Sequence, residues 1–180
     1  MKRTLSVLVL SLLAFWPCPS IGQDAAKPDP WASLHFLIGT WEAKTTGGSA
    51  RAQGAGNYSF QLKLAGHLLA RHSGGGSCKG PEDYNCNHAD LLYLYPEGPA
   101  GALRAIYFDN EGHVIHYVVE VNPSGKVVRF VSRVQAGEPR YRLTYREADK
   151  DLVTGQFELA PPGKPEAFDR YMEWSARRKK

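Results

Sequence analysis

Asn57-Tyr58-Ser59-Phe60-Gln61-Leu62-Lys63-Leu64 alternates without a break. Tyr58, Phe60, Leu62 and Leu64 fall on one side, and Asn57, Ser59, Gln61 and Lys63 on the other. A strand sends successive side chains to opposite faces. A period of two with one wet face therefore marks an antiparallel strand lying on a core. The pattern returns downstream. Tyr141, Leu143 and Tyr145 oppose Arg140, Arg142, Thr144 and Arg146. Phe168, Met172 and Trp174 oppose Asp169, Tyr171, Glu173 and Ser175.

Turn residues separate these runs. Breaks fall at 46–49, 65–66, 73–87, 96–101, 109–112, 122–125, 136–139, 149–151 and 161–165. Each holds Gly, Pro, Asn or Asp, which tolerate positive φ or preset a turn. They leave about ten strands, starting near Trp41, Gly54, Leu68, Ala89, Leu103, Val114, Val127, Arg140, Leu152 and Ala167. Upstream, Pro30 to Ile38 reads as one short helix, capped by Asp29 and ended by Gly39. Trp31, Leu34, Leu37 and Ile38 share its apolar face. Short connections imply a meander of hairpins. Such a meander exposes two edges, and closing it into a barrel removes both. A two-sheet sandwich would need longer crossing connections.

The N-terminus has a different grammar. Lys2 and Arg3 precede an apolar run from Thr4 to Trp16, followed by Pro17, Pro19, Ser20 and Gly22. That is the order of a secretory signal peptide, cut before Gln23. The run has about 12 residues, or roughly 18 Å of helix, too short for a ~30 Å bilayer core. The expected organisation is a signal peptide over 1–22, a linker over 23–29, one domain over 30–176 and a solvated basic tail over 177–180. No membrane anchor is expected, and the location would be secreted or periplasmic. Losing Lys2 and Arg3 takes the basic count from 22 to 20 against 18 acidic residues. So small a surplus predicts no strong field and no nucleic-acid partner. Oligomeric state is not legible.

Cys78 and Cys86 remain after processing. An oxidising compartment permits a disulfide, which would stabilise the fold by roughly 2–3 kcal/mol on the chain-entropy model. The rival reading is a metal site using Cys78, Cys86, His88 and Asp83, but that spacing is not a usual zinc pattern.

Phe36-Leu37-Ile38-Gly39-Thr40-Trp41 joins the helix to the first strand. This resembles the Gly-x-Trp opening of calycin barrels, the group of lipocalins, fatty-acid-binding proteins and nitrobindins. Ten strands resemble the fatty-acid-binding and nitrobindin-like branches. The nearest resemblance is to exported calycin-like domains of unknown function found in bacteria. It implies that Trp41 closes one barrel end with an Arg of the last strand across its indole, here Arg170. Two departures stand. The last strand reads Arg170-Tyr171-Met172 rather than Arg-x-Tyr, and no His follows His116 to serve as a nitrobindin-type haem ligand.

No standard catalytic signature is present: no Gly-x-Ser-x-Gly, no His-Glu-x-x-His and no Walker loop. The chain does not read as an enzyme. Gly74-Gly75-Gly76 reads as a flexible hairpin loop. His113 and His116, like His67 and His72, are separated by odd numbers, which puts them on opposite faces of a strand. His116 sits between Val114 and Val118, and Arg129 between Val127 and Val131. If these faces point inward, both residues reach a ligand. An anionic head group would then meet Arg129, and haem with His116 as axial ligand stays open. No other cofactor and no metal is called for. Tyr58, Tyr107 and Tyr141 could line the same cavity. The expected function is binding of a small hydrophobic or amphipathic molecule; the alternative is an envelope interaction protein with a solid core. Exported protein should begin at or near Gln23, and an intact-mass measurement that finds residues 1–22 retained would refute the processing.

Overall fold

The computed structural model describes residues 29–180. The signal peptide over 1–22, its cut before Gln23 and nearly all of the 23–29 linker lie outside the described residues.

Ten strands follow a short 3₁₀ helix, Ala32–Leu37. They are β1 (Gly39–Gly47), β2 (Gln53–Lys63), β3 (Leu68–Lys79), β4 (Asp90–Glu97) and β5 (Ala102–Asp109), then β6 (Val114–Val121), β7 (Val127–Ser132), β8 (Arg140–Asp149), β9 (Leu152–Ala160) and β10 (Asp169–Arg178). Each pairs antiparallel with its neighbours in sequence, and β1 also pairs with β10, so the sheet closes into a barrel without a free edge. The architecture is the all-β, ten-stranded closed meander that the turn spacing implies.

Three local readings change. First, β3 runs through Gly74-Gly75-Gly76 to Lys79 instead of stopping at Ser73. The glycines are strand, not hairpin loop. β2 slips register between Gly56 and Tyr58, and the two chains approach closely there. A Cβ on Gly76, at φ +140, would stand 2.1 Å from the Ala55 carbonyl oxygen. Second, β2 ends at Lys63. Leu64 and Ala65 take positive φ to turn the chain, and Leu64 is 73% exposed. The alternation that begins at Tyr58 thus leaves the core at the barrel rim. Third, β10 carries a bulge between Arg170 and Met172. One extra residue in a strand moves the side chains beyond it to the other face. Phe168 lies outside that phase, with the Arg142 guanidinium 4.1 Å from its ring centroid.

Register along β10 corrects the Trp–Arg pairing, because Trp41 stands opposite Arg178 and not Arg170. Arg170 is half exposed and ion-paired to Glu173 at 3.0 Å. Arg178 takes the place expected of it. Its guanidinium lies 4.3 Å from the Trp41 ring centroid, donates to the Ile38 carbonyl and reaches the Phe36 carbonyl at 3.0 Å. The stretch read as a solvated tail therefore begins as strand, and Lys179 N–H donates to Thr40 O at 2.8 Å.

Around this clasp the barrel end is shut. Trp31, Leu34, Leu37 and Trp41 are buried. Trp41 Nε1 donates to Leu37 O at 2.8 Å and Trp31 Nε1 to Gly66 O at 2.7 Å, which ties the helix to the first strand and to the β2–β3 turn. Asp29 Oδ1 accepts from Trp31 N–H at 2.9 Å just ahead of the helix, whose N-cap is Trp31 rather than the expected Asp29 and has no side-chain cap. Trp41→Ala should cost about 3–5 kcal/mol, as large core truncations do. Arg178→Ala should cost less, and Arg170→Ala almost nothing, since exposed ion pairs contribute little. Urea unfolding of the three variants checks the order; Arg170→Ala falling below Arg178→Ala would reverse the assignment.

Candidate functional site

The other end of the barrel is open. Inward positions of β2, β3, β5, β6, β8 and β10 place Tyr58, Arg71, Tyr107, Tyr117, Leu143 and Trp174 around a cavity of about 430 Å³. Strand alternation alone sets this face. Tyr58 shares a phase with Phe60, Arg71 with Leu69, and Leu143 with Tyr145, all of them buried.

Charge enters the cavity from β3 and β4. Ser73 stands opposite Asp90 in the ladder, so Arg71, two residues along on the same face, is the diagonal neighbour of Asp90. Arg71 Nη1 donates to Asp90 Oδ1, and both side chains are buried, at 9% and 6% exposure. Burial is the largest influence on Arg71 and favours its neutral form, but Asp90 first and the surrounding tyrosines next outweigh it, so its pKa is raised. The guanidinium also faces the Tyr58 ring at 5.3 Å and the Tyr145 ring at 6.0 Å.

His88 extends this pair toward the mouth. Its Nε2 lies 3.5 Å from Asp90 Oδ2 and 3.1 Å from Tyr107 Oη, and its Nδ1 lies 2.7 Å from Glu111 Oε1. The hydrogen bond to Asp90 pushes its pKa up to about 9; partial burial opposes this, and Glu111 adds to it. At neutral pH both ring nitrogens therefore donate. Asn85 also donates to Glu111, at 3.0 Å, which fastens the 80–89 loop to the β5–β6 turn. Cys78 and Cys86 stand at disulfide distance, with Cα atoms 5.4 Å apart, and anchor the same loop to the end of β3.

Four polar atoms in or beside this cavity are buried without a hydrogen-bond partner among the described residues: Tyr58 Oη, Tyr145 Oη, Arg71 Nε and Trp174 Nε1. Trp174 lies close enough to Tyr58 to lower its pKa somewhat, yet the two groups do not meet in a hydrogen bond. Burial dominates and pushes the Tyr58 phenol up to about 12. The Trp174 indole packs flat against Gly155, where an added Cβ would stand 2.1 Å from the ring. That contact explains a glycine in the middle of β9.

Of the residues singled out in the sequence, Tyr58, Tyr107 and Tyr141 line this cavity. His116 and Arg129 do not. Both are exposed on the outer face, Arg129 opposite Glu120 in the β6–β7 ladder. The inward phase of β7 belongs to Val128 and Phe130, which are fully buried, and that of β6 to Ile115 and Tyr117. His116 cannot ligate a haem held in the cavity from where it stands.

Arg71, Asp90 and Trp174 went unread as site residues, and His88 entered only in the rival metal reading. A signal for two of them was there. Asp90 shares a phase with Leu92 and Leu94, and Arg71 with Leu69, so each is a charge in register with core leucines. No protein-family model and no curated protein matches this chain. Among the described residues no helix is long and apolar enough to cross a membrane.

The His88 shift fixes the sign of a pH effect. A pKa raised on folding from about 6.5 to about 9 contributes stability that is whole below about 6.5 and lost as pH rises through about 9. Wild-type unfolding free energy should fall across that window more steeply than that of His88→Gln. Parallel profiles in denaturant titrations from pH 6 to 10 would contradict the assignment.

Proposed function

We propose that this protein is an exported barrel that binds a small, partly apolar molecule in the cavity under the disulfide-anchored loop. The observation that carries the reading is the cavity itself: about 430 Å³, with the rings of Tyr58, Tyr107, Tyr117, Tyr141, Phe157 and Trp174 in its wall and unsatisfied donors beside it. Ligand sites are concave and mostly apolar, with a few placed polar groups. Buried polar groups without partners are expensive, and a ligand that satisfied them would recover that cost. A solid barrel would have filled this volume with side chains.

Export rests on the signal-like N-terminus and on the Cys78–Cys86 pair, which suits an oxidising compartment. Membership of the calycin-like barrels is part of the proposal. Its support is the closed ten-stranded meander with Trp41 at the shut end and Arg178 across the indole.

The interaction-protein reading retains one observation. Phe108 and Val114 are paired in register on the outer face and are 37% and 56% exposed.

Native mass spectrometry of exported protein should detect a small molecule retained by wild type. Leu143→Trp, which fills the cavity from β8, should reduce retention by about tenfold or more, some 1.4 kcal/mol. Retention unchanged by Leu143→Trp would place the ligand elsewhere and defeat the proposal.

A further inference from the structure

We infer that the ligand presents an uncharged oxygen acceptor, such as a ketone, ester or quinone carbonyl, to the buried end of the cavity, and that the cavity selects against carboxylates. This rests on the small-molecule reading above and narrows it to a chemical class.

The first ground is the identity of the unsatisfied groups. Arg71 Nε and Trp174 Nε1 can only donate, and the Tyr58 and Tyr145 hydroxyls are free to donate. Tyr58, Tyr145 and Arg71 are each more than nine-tenths buried. Burial keeps both phenols protonated, because it raises their pKa values. Two donor-only N–H groups stand beside two phenols, so the set has more protons to give than oxygens to receive them, and an added acceptor suits it.

The second ground is charge. Arg71 would ordinarily invite a carboxylate, but Asp90 already holds that position, and the second oxygen of Asp90 faces His88. An incoming carboxylate would have to share one guanidinium with Asp90 in a buried site, where like charges repel strongly and desolvation is costly. The approach is acidic as well. Asp83, Asp109 and Glu111 line the mouth. Asp109 is bound to His113 at 2.8 Å and Glu111 to His88 at 2.7 Å, and both carboxyls are held below the usual range. At the rim an anion meets Asp83 and Asp109 beside the His88–Glu111 ion pair, and at the floor a cation already neutralised by Asp90. A carbonyl brings no charge and still takes the hydrogen bonds.

The third ground is the wall. Tyr141 and Phe157 lie stacked, with centroids 6.0 Å apart and planes 6° from parallel, and both border the cavity. Flat rings on one side favour a planar or apolar body.

Three matched two-ring probes separate the possibilities in calorimetric titrations of the purified protein: 2-acetylnaphthalene, 2-naphthoate and 2-ethylnaphthalene. The ketone should bind about tenfold tighter than either of the others. Tyr58→Phe should weaken the ketone several-fold more than it weakens 2-ethylnaphthalene, and thermal unfolding of that variant confirms that it folds. Naphthoate binding as tightly as the ketone overturns the inference and leaves the cavity reading standing. Equal binding of the ketone and the hydrocarbon, or a ketone preference untouched in Tyr58→Phe, also overturns it. Failure of all three to bind removes the inference and the cavity reading together.

Discussion

The pairing of β1 with β10 turns a ribbon of hairpins into a closed wall, and Arg178 is the clasp on that seam. Every other ladder joins strands adjacent in sequence, at a modest loop-closure cost. This one joins the two ends of the domain, so its contacts must repay the ordering of everything between them. Trp41 provides the surface and Arg178 the polar link, since a guanidinium can stack on an indole and still donate in its own plane. Its donors go to the Phe36 and Ile38 carbonyls at the helix end, groups that would otherwise have no intrahelical partner. Helix, first strand and last strand meet in that one side chain.

Closure there has a consequence at the opposite end. With Trp31, Leu34, Leu37 and Trp41 packed at the shut end, the barrel holds a continuous apolar core on one side and a cavity on the other. Polar groups concentrate where the core stops. The Arg71–Asp90 pair sits at that transition. Breaking such a pair by removing one partner costs about 3–5 kcal/mol, whereas replacing both with apolar side chains can be neutral. A buried pair is thus weak evidence for stability. Here Arg71, Asp90, His88 and Tyr58 all line the cavity, an arrangement that supports the proposed binding role.

Most of the architecture was legible from alternation and turn chemistry. The strand starts at Leu68, Val114, Val127, Arg140 and Leu152 fall where the breaks imply, because Gly, Pro, Asn and Asp have local reasons to be there. Two of the exceptions share one cause. At Gly74–Gly76 and at Tyr171 the chain bulges. A bulge is a property of two strands in register and leaves no reliable mark on one of them. Arg170 was matched to Trp41 by resemblance alone, but the β1–β10 register sets Arg178 opposite Trp41 and leaves Arg170 at the far end of the strand.

The sequence by itself determined that the chain is all-β and roughly how many strands it has, because the period of two is local; it set Tyr171 on the outer face, whereas Tyr171 borders the cavity. It could not decide between two phases that both carry valines. Val127-Arg129-Val131 and Val128-Phe130 compete on β7, and only closure of the barrel, which gives the inside to Val128 and Phe130, sends Arg129 and His116 to water. Nor could it join Arg71 to Asp90 and His88, or Arg178 to Trp41. Those pairs are made by register across strands and by the seam between the two ends. Registry and closure are free-energy minima of the whole barrel, so no single strand encodes them.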